Sequence, residues 1–293
     1  MIEIILGIIQ EGFIYSIMAL GVYISLKILD FPDLSVDGTF PLGMAVSTAC
    51  IVHGVNPFLA IIIAFLCGAL AGSVTGFFNV KLHISPLLSG ILTMTALYSV
   101  NYTIVGKPNE FLKMDASTVF SVIPKSANTW VYAHRYLLIA FVAMVIIKLL
   151  LDWYLSTKSG FLLRSVGDNE GLVVTLAKNP GLVKIVGLSL ANGLVAVSGS
   201  LNVQYMKAFN VSAGTGMLVM GLAAVIIGMT VFGKIRFLKP TTGVVLGMII
   251  YKACISAALM LGLQPKDTNL IVTVLFVATL VINNALSKKK VEI

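Results

Sequence analysis

The run Asp33-Leu-Ser-Val-Asp37-Gly38 has the residue types that open a calcium-binding loop of the EF-hand kind. Such a loop needs a bidentate acid at its twelfth position, where this chain has Met44. A calcium site of this type is therefore excluded. We expect Asp33, Asp37 and the hydroxyl of Thr39 to cap the helix that begins here, to lie in a cytoplasmic turn, or to face an enclosed path and contact a substrate.

Lys252 is a second candidate, because it lies near the middle of a long apolar segment. No acid stands three or four residues from it, and a charge inside a membrane span is costly unless it is paired or hydrated. Lys252 is expected either to pair with a carboxylate elsewhere in the bundle or to line a path for an anionic or zwitterionic substrate. Lys148 differs, since Asp152 follows four residues later and predicts a local ion pair.

Amides and hydroxyls cluster where the sixth apolar segment ends and the seventh begins. The candidates are Asn202, Gln204, Asn210, Ser212 and Thr215. Side chains of these types either line a substrate path or form hydrogen bonds between helices, and the sequence leaves both alternatives open.

Residues that could catalyse a reaction or hold a metal are not grouped. Cys50, Cys67 and Cys254 lie in apolar segments without metal-ligand spacing, which favours small buried side chains. No catalytic triad spacing occurs, and no phosphate-binding GxxxxGK[ST] loop occurs. We therefore expect neither an enzyme nor a bound cofactor, and any ATP hydrolysis must occur on another chain.

The composition of the chain indicates which kind of structure holds these residues in place. The chain is 58% hydrophobic and 11% charged, with a mean hydropathy of +1.00, whereas soluble domains carry about 25% charged residues. The sequence predicts an all-α polytopic membrane protein forming one transmembrane domain over residues 1–293. Its first half, 12–134, ends in an external loop; a polar island, 156–182, separates it from the second half, 183–293.

About nine segments are apolar enough to cross the bilayer. They are Gly12–Leu29, Thr39–Val52, Pro57–Phe78, Pro86–Val105, Leu137–Leu155, Val183–Tyr205, Thr215–Val231, Thr241–Leu263 and Asn269–Leu286. The second and seventh are short and rich in glycine, which favours broken helices lining an enclosed path.

The distribution of Lys and Arg predicts the orientation. Placing the polar island inside puts 12 of the 20 basic residues in the cytoplasm, with the N-terminus outside and the C-terminus inside. The net charge of +8 then follows from membrane topology and gives no reason to expect nucleic acid binding. The first segment lacks a preceding basic region and a small-residue cleavage site, so we expect it to be retained.

The two halves resemble each other. Gly38–Val46 begins a short apolar element that is followed by the long segment Pro57–Phe78, and Gly214–Leu222 begins a similar pair that ends with Thr241–Leu263. In the predicted orientation the two pairs run in opposite directions, as inverted repeats do. Such repeats place the substrate path at their interface, near the middle of the bilayer.

Six segments of the sequence, taken together, resemble a known family. They are Gly12–Gly21, Leu29–Gly43, Gly160, Arg164–Asn169, Gly181 and Leu190–Gly199. In order and spacing they are similar to the permease subunits of ABC importers of the branched-chain amino acid and ribose type. The closest similarity is to the bacterial subgroup that serves lipoprotein-dependent amino-acid uptake, and it covers nearly the whole chain.

The resemblance implies that Gly160 to Lys178 forms coupling helices that sit in a cleft on an ATPase subunit. Its candidate coupling residues are Gly160, Arg164, Gly167, Asp168, Asn169 and Leu172. Asp168 or Asn169 is expected to cap a short helix whose apolar face is Leu172, Val173 and Leu176. An amphipathic segment lying on the membrane surface without a partner is the alternative.

The resemblance also implies partners: a separate ABC ATPase that holds ATP and Mg, an external substrate-binding lipoprotein, and a second permease copy, giving a homodimer in a bacterial cell membrane. It implies amino acids, including aromatic ones, as substrates. An ion-coupled secondary transporter is the alternative, although its usual relay of acids or histidines deep in the spans is not evident from the sequence. Broken, glycine-rich, repeated elements disfavour a purely structural membrane protein.

Overall fold

The computed structural model describes residues 2–123, 129–175, 179–233, 235 and 237–260, together with six isolated residues between 270 and 281. The helices are α1 (Ile2–Tyr23), α2 (Val36–Val52), α3 (Pro57–Val80), α4 (Pro86–Val105), α5 (Thr129–Ala133), α6 (Arg135–Leu155), α7 (Lys158–Asp168), α8 (Glu170–Thr175), α9 (Pro180–Met206), α10 (Met217–Phe232) and α11 (Pro240–Met260). The strands are β1 (Asn109–Phe111) and β2 (Ala208–Asn210), and a π-helical turn, Ile24–Ile28, extends α1.

The all-α membrane architecture is confirmed. Six helices of the described part are long and apolar enough to cross a membrane, namely α1 with its extension, α3, α4, α6, α9 and α11. Helices α2 and α10 are the shorter apolar helices that the sequence predicted as the second and seventh segments. The ninth expected segment, Asn269–Leu286, lies outside the described residues apart from those six.

Three of the long helices begin with the same local signal, a polar cap followed by proline. Asn56 accepts a hydrogen bond from the N–H of Phe58, and Asn179 accepts one from the N–H of Gly181, each at 2.9 Å. Ser85 precedes Pro86 in the same way. Proline suits the first helical position because its missing N–H would have no helical partner there.

Helix α9 lies at the centre of the bundle, and small residues let its neighbours approach closely. Helix α3 packs along it: a Cβ added at Gly72 would lie 2.2 Å from the carbonyl oxygen of Leu188. Helix α1 also packs on α9, and Ile17, Met18 and Val195 are fully buried in this core. Close backbone approach at small residues is the usual way helices associate within a bilayer.

A second group of helices packs around α1. Helix α11 lies along α1, where the backbone of Gly12 meets Ile249, and along α10, where a Cβ at Gly247 would lie 2.2 Å from the carbonyl oxygen of Ala224. Helix α10 also contacts α1, with Gly221 against Val22. The long helix α11 and the short helix α10 thus pack on α1, as the long helix α3 and the short helix α2 pack on α9.

Helix α2 begins beside the middle of α9. The hydroxyl of Ser35 donates a hydrogen bond to Oδ1 of Asn192 at 3.0 Å, and farther along the amide of Gln204 donates one to Ser47 at 3.2 Å. The two helices therefore run in the same direction. The segment before α2 thus lies beside the middle of α9 and not beside its first residue, Pro180, and the cytoplasmic turn stays a prediction.

A short antiparallel ribbon joins the halves on the side where α9 ends. Asn109 pairs with Asn210, and Glu110 pairs with Phe209, which is buried. Each strand has only three residues and lies within a polar loop, so the sequence showed no alternation of apolar residues that would predict a strand. The ribbon positions the loop that leads from α9 into α10.

Candidate transport path and coupling surface

The N-termini of the two short helices meet at Asp37. Its Oδ1 accepts a hydrogen bond from the N–H of Leu218 at 2.7 Å, and its Oδ2 accepts one from the N–H of Gly216 at 3.1 Å. Asp37 therefore caps α10, whereas a cap for its own helix was one of the alternatives that the sequence left open. A carboxylate at a helix N-terminus satisfies free N–H groups and interacts favourably with the helix dipole.

Backbone contacts also hold the N-termini of α2 and α10 together, and we call this meeting point at Asp37 and Gly214 the joint. Pro41 lies in α2 and has no N–H, so the carbonyl of Asp37 has no partner at the usual helical position. Gly214 packs against that carbonyl, and a Cβ there would lie 1.7 Å from the oxygen. A proline and a glycine 173 positions apart in the sequence numbering therefore allow the two short helices to come together.

A cavity of about 480 Å³ lies beside this joint, between α2, α4 and the loop before α10. Its walls are formed by Asp37, Gly38, Pro41, Met94, Thr95, Tyr98, Asn101, Val211, Ser212 and Thr215. Of the nine residues that the sequence analysis offered for the substrate path, Asp37, Ser212 and Thr215 lie here. Asp37 is half-buried and Thr215 is exposed, so polar groups of both are accessible from the cavity.

Asn101 is a cavity residue that the sequence analysis missed. Its side chain is fully buried, and Nδ2 donates a hydrogen bond to the carbonyl oxygen of Gly38 at 3.0 Å. Its Oδ1 has no hydrogen-bond partner among the residues described. The available signal was a single amide late in the apolar segment Pro86–Val105, a feature that hydropathy does not distinguish from an interhelical contact.

Asp33 and Thr39 support the joint without lining the cavity. Oδ1 of Asp33 accepts a hydrogen bond from the N–H of Ser35 at 2.9 Å, and Oδ2 accepts one from the amide of Asn192 at 2.7 Å. The hydroxyl of Thr39 donates to the carbonyl of Ser35 at 2.9 Å. Asp33 and Thr39 are both buried, and their contacts fasten the start of α2 to α9.

Asn202 and Gln204 form hydrogen bonds between helices. Asn202 donates to the hydroxyl of Tyr15 on α1 at 3.0 Å. The amide of Gln204 donates to Ser47 and to the carbonyl of Pro57, while its Oε1 accepts from the N–H of Val119 at 2.9 Å. These contacts correspond to the second of the two alternatives that the sequence left open for such residues.

Lys252 forms the ion pair that was one of its two predicted alternatives. Its Nζ lies 3.0 Å from Oε2 of Glu11 and 3.8 Å from the centroid of the Tyr15 ring. This pair joins α11 to α1 and does not border the cavity. The local pair of Lys148 with Asp152 is confirmed at 2.8 Å.

The polar island forms α7 and α8, and α7 packs against the transmembrane core. A Cβ at Gly167 would lie 1.9 Å from the carbonyl oxygen of Ile28, and one at Gly160 would lie 2.4 Å from that of Tyr154. Leu163 is fully buried. Gly160 therefore allows α7 to touch the end of α6, and Gly167 allows it to touch the end of the α1 extension, which leads into the segment of Asp33 and Asp37.

A neighbouring face of α7 is exposed. Phe161 is 61% exposed, and Arg164 and Asp168 are exposed beside it. Asn169 caps α8 by accepting a hydrogen bond from the N–H of Gly171 at 2.9 Å, as predicted. The side chain of Leu172 and residues 176–178 lie outside the described part, while Val173 is buried.

Known proteins match nearly the whole chain. Residues 4–281 match the family described as the permease component of branched-chain amino acid transport systems. The tyrosine transport system permease protein of Clostridioides difficile (strain R20291) is 41% identical over 284 residues, covering 96% of this chain and 91% of that protein. The ribose import permease protein RbsC of Escherichia coli (strain K12) is 24% identical, covering 95% and 84%.

No solved structure matches the chain. The family resemblance inferred from the sequence motifs is confirmed, and the family consists of membrane subunits of ABC transporters rather than enzymes. In the described ranges no three His, Cys, Asp or Glu side chains are grouped to hold a metal ion. The chain therefore belongs to the family of permease components of branched-chain amino acid transport systems.

Proposed function

We propose that this chain is the transmembrane subunit of an ATP-driven importer of amino acids, aromatic ones included. The observation that carries the proposal is the match to a tyrosine system permease along 96% of the chain. In this proposal a separate ABC ATPase holds ATP and Mg, and an external lipoprotein delivers the substrate. The protein functions in the bacterial cell membrane.

Helix α7 is the surface that meets the ATPase. An exposed aromatic ring, Phe161, beside Arg164 and Asp168 suits a cleft on a soluble partner, because aromatic and arginine side chains are the common anchors of protein interfaces. On the packed face of α7 Gly167 touches Ile28, so a displacement of α7 acts on the α1 extension. The resulting mechanical route leads from the ATPase to Asp33 and Asp37.

The cavity beside Asp37 is part of the substrate path. It is open on one side, and a second copy of the chain would close it in a homodimer with the path on the two-fold axis. Asp37 and Thr215 line the path, whereas Asp33, Thr39, Asn202, Gln204 and Lys252 maintain the positions of the helices around it.

Inverted repeats account for the helix arrangement. Helix α3 packs on α9 as α11 packs on α1, and α2 packs on α9 as α10 packs on α1. With nine spans, the N-terminus outside and the C-terminus inside, α2 runs outward from the joint and α10 runs inward. This arrangement is what two repeats of opposite orientation require.

An ion-coupled secondary transporter is the second candidate, and one observation favours it. Asp33 is a buried carboxylate beside the middle of α9, where a proton or cation relay would need one. Both of its oxygens already accept hydrogen bonds from Ser35 and Asn192, however, which suits a structural role.

ATP hydrolysis tests the proposed function. The permease is purified in nanodiscs with its ATPase, and hydrolysis is measured with the binding lipoprotein either empty or loaded with tyrosine. We expect the loaded lipoprotein to stimulate hydrolysis only when the permease is present. The proposal would be refuted if the permease did not copurify with an ABC ATPase. It would also be refuted if loaded lipoprotein gave the same rate of ATP hydrolysis with and without the permease.

A further inference from the structure

The cavity beside Asp37 combines two acceptors that the fold does not fully use. Oδ1 of Asn101 has no partner in the described part of the chain, although the side chain is fully buried at the cavity wall. A buried acceptor without a donor is destabilising, and such atoms are rare in folded proteins. A donor group on a molecule bound in the cavity would satisfy this acceptor.

Asp37 is the second acceptor. Its oxygens accept hydrogen bonds from the N–H groups of Gly216 and Leu218, and among the described residues no cationic side chain pairs with them. Each carboxylate oxygen can accept more than one hydrogen bond, so both retain capacity. Among the described lining residues Asp37 is also the only charged one, which makes the cavity favourable for a cation.

The rest of the cavity suits a small amphipathic molecule. Met94 and Tyr98 provide apolar and aromatic surface, and Ser212 and Thr215 provide exposed hydroxyl donors. A volume of about 480 Å³ falls in the range of about 300–1,000 Å³ that is usual for small-molecule sites.

We propose that this cavity is a binding site for a free amino acid, in which Asp37 and Asn101 accept hydrogen bonds from the α-ammonium group. The hydroxyls of Ser212 and Thr215 face the substrate carboxylate, and Tyr98 packs against its side chain. The inference rests on the proposed function and adds that the permease itself selects for an amino group. A neutral sugar can donate a hydroxyl hydrogen bond to Asp37 but lacks the attraction between an ammonium group and the carboxylate.

Binding of radiolabelled L-tyrosine tests the site. The permease in complex with its ATPase is placed in nanodiscs without the binding lipoprotein, and competitors are added. We expect saturable binding that tyramine displaces, because tyramine keeps the amino group. We expect 3-(4-hydroxyphenyl)propionate, which lacks it, and D-ribose not to compete.

Variants locate the site. Asp37→Asn keeps an acceptor for α10 but removes the charge, and we expect it to weaken tyrosine binding about tenfold or more, because hydrogen bonds to charged groups are stronger than neutral ones. Asn101→Leu removes the second acceptor and should weaken binding by a smaller factor. Asp115→Asn, at an exposed carboxylate outside this cavity, is the matched control and should bind as the parent does.

Several results would overturn the proposal: no saturable binding, displacement by the deaminated competitor as effective as by tyramine, or normal binding in a folded Asp37→Asn protein. If that variant does not fold, normal binding by folded Asn101→Leu has the same consequence. ATP-driven tyrosine uptake by the complete transporter is measured in parallel. Uptake with no binding by the permease rejects this site and leaves the proposed function intact, whereas loss of ATP dependence rejects the proposed function.

Discussion

Replacing Lys252 with methionine tests whether this lysine stabilises the helix bundle or lines the substrate path. Methionine has a similar length but cannot pair with Glu11. If the pair at 3.0 Å is structural, the change leaves the Glu11 carboxylate without its cation and removes the ammonium from the ring of Tyr15. The variant should then lose stability and retain the architecture of the cavity.

The size of the effect follows from burial. Breaking a fully buried ion pair costs about 3–5 kcal/mol, and an exposed pair contributes about 0–1 kcal/mol. The side chain of Lys252 is 14% exposed and that of Glu11 is 33% exposed, so the pair lies between these limits. We expect a loss of about 2 kcal/mol including the cation–π contact, or a decrease in Tm of about 4–8 °C.

A double-mutant cycle provides the assay. Thermal unfolding is followed for Lys252→Met, Glu11→Gln and the double variant in the same detergent. If the groups interact, the double variant is more stable than the sum of the single effects predicts, by about 1 kcal/mol or more. Strictly additive effects would refute the ion pair. A Lys252→Met protein that gains stability but loses transport would assign the lysine to the substrate path.

Three further predictions concern close backbone contacts and the exposed face of α7. Gly167→Val should abolish stimulation of ATP hydrolysis by loaded lipoprotein while the chain still inserts, since its Cβ would lie 1.9 Å from the carbonyl of Ile28. Gly7→Ala is the control, and it should leave this stimulation unchanged because the space around Gly7 is open. Arg164→Ala should reduce the same stimulation without lowering Tm, because the side chain is exposed. Gly214→Ala should lower Tm by several degrees, because the methyl group would meet the carbonyl of Asp37 at 1.7 Å. An unchanged Tm would contradict this close contact between Gly214 and Asp37.

Helices were predictable where the sequence contains local signals. Pro57 and Pro86 begin α3 and α4 at the predicted positions, because proline at the first helical turn is a local preference. The start of the sixth segment was predicted three residues late, at Val183, although Asn179 followed by Pro180 carries the same signal.

The joint between the short helices was not predictable in detail. Contacts of Asp37 with Gly216 and Leu218 connect residues 179 and 181 positions apart, and no local pattern specifies them. From their length and glycine content the sequence predicted that the two short segments line an enclosed path, and this stays a prediction. Asn101 was missed because its role depends on a cavity that exists only after α4 packs beside α2.

Uptake of radiolabelled tyrosine into proteoliposomes tests the central claim most directly. The permease is reconstituted either alone or with its ATPase and binding lipoprotein, and either ATP or a proton or sodium gradient is supplied. The proposed importer predicts uptake only by the complete assembly and only with ATP on the side of the ATPase. Uptake driven by an ion gradient in vesicles that contain this chain alone would contradict it.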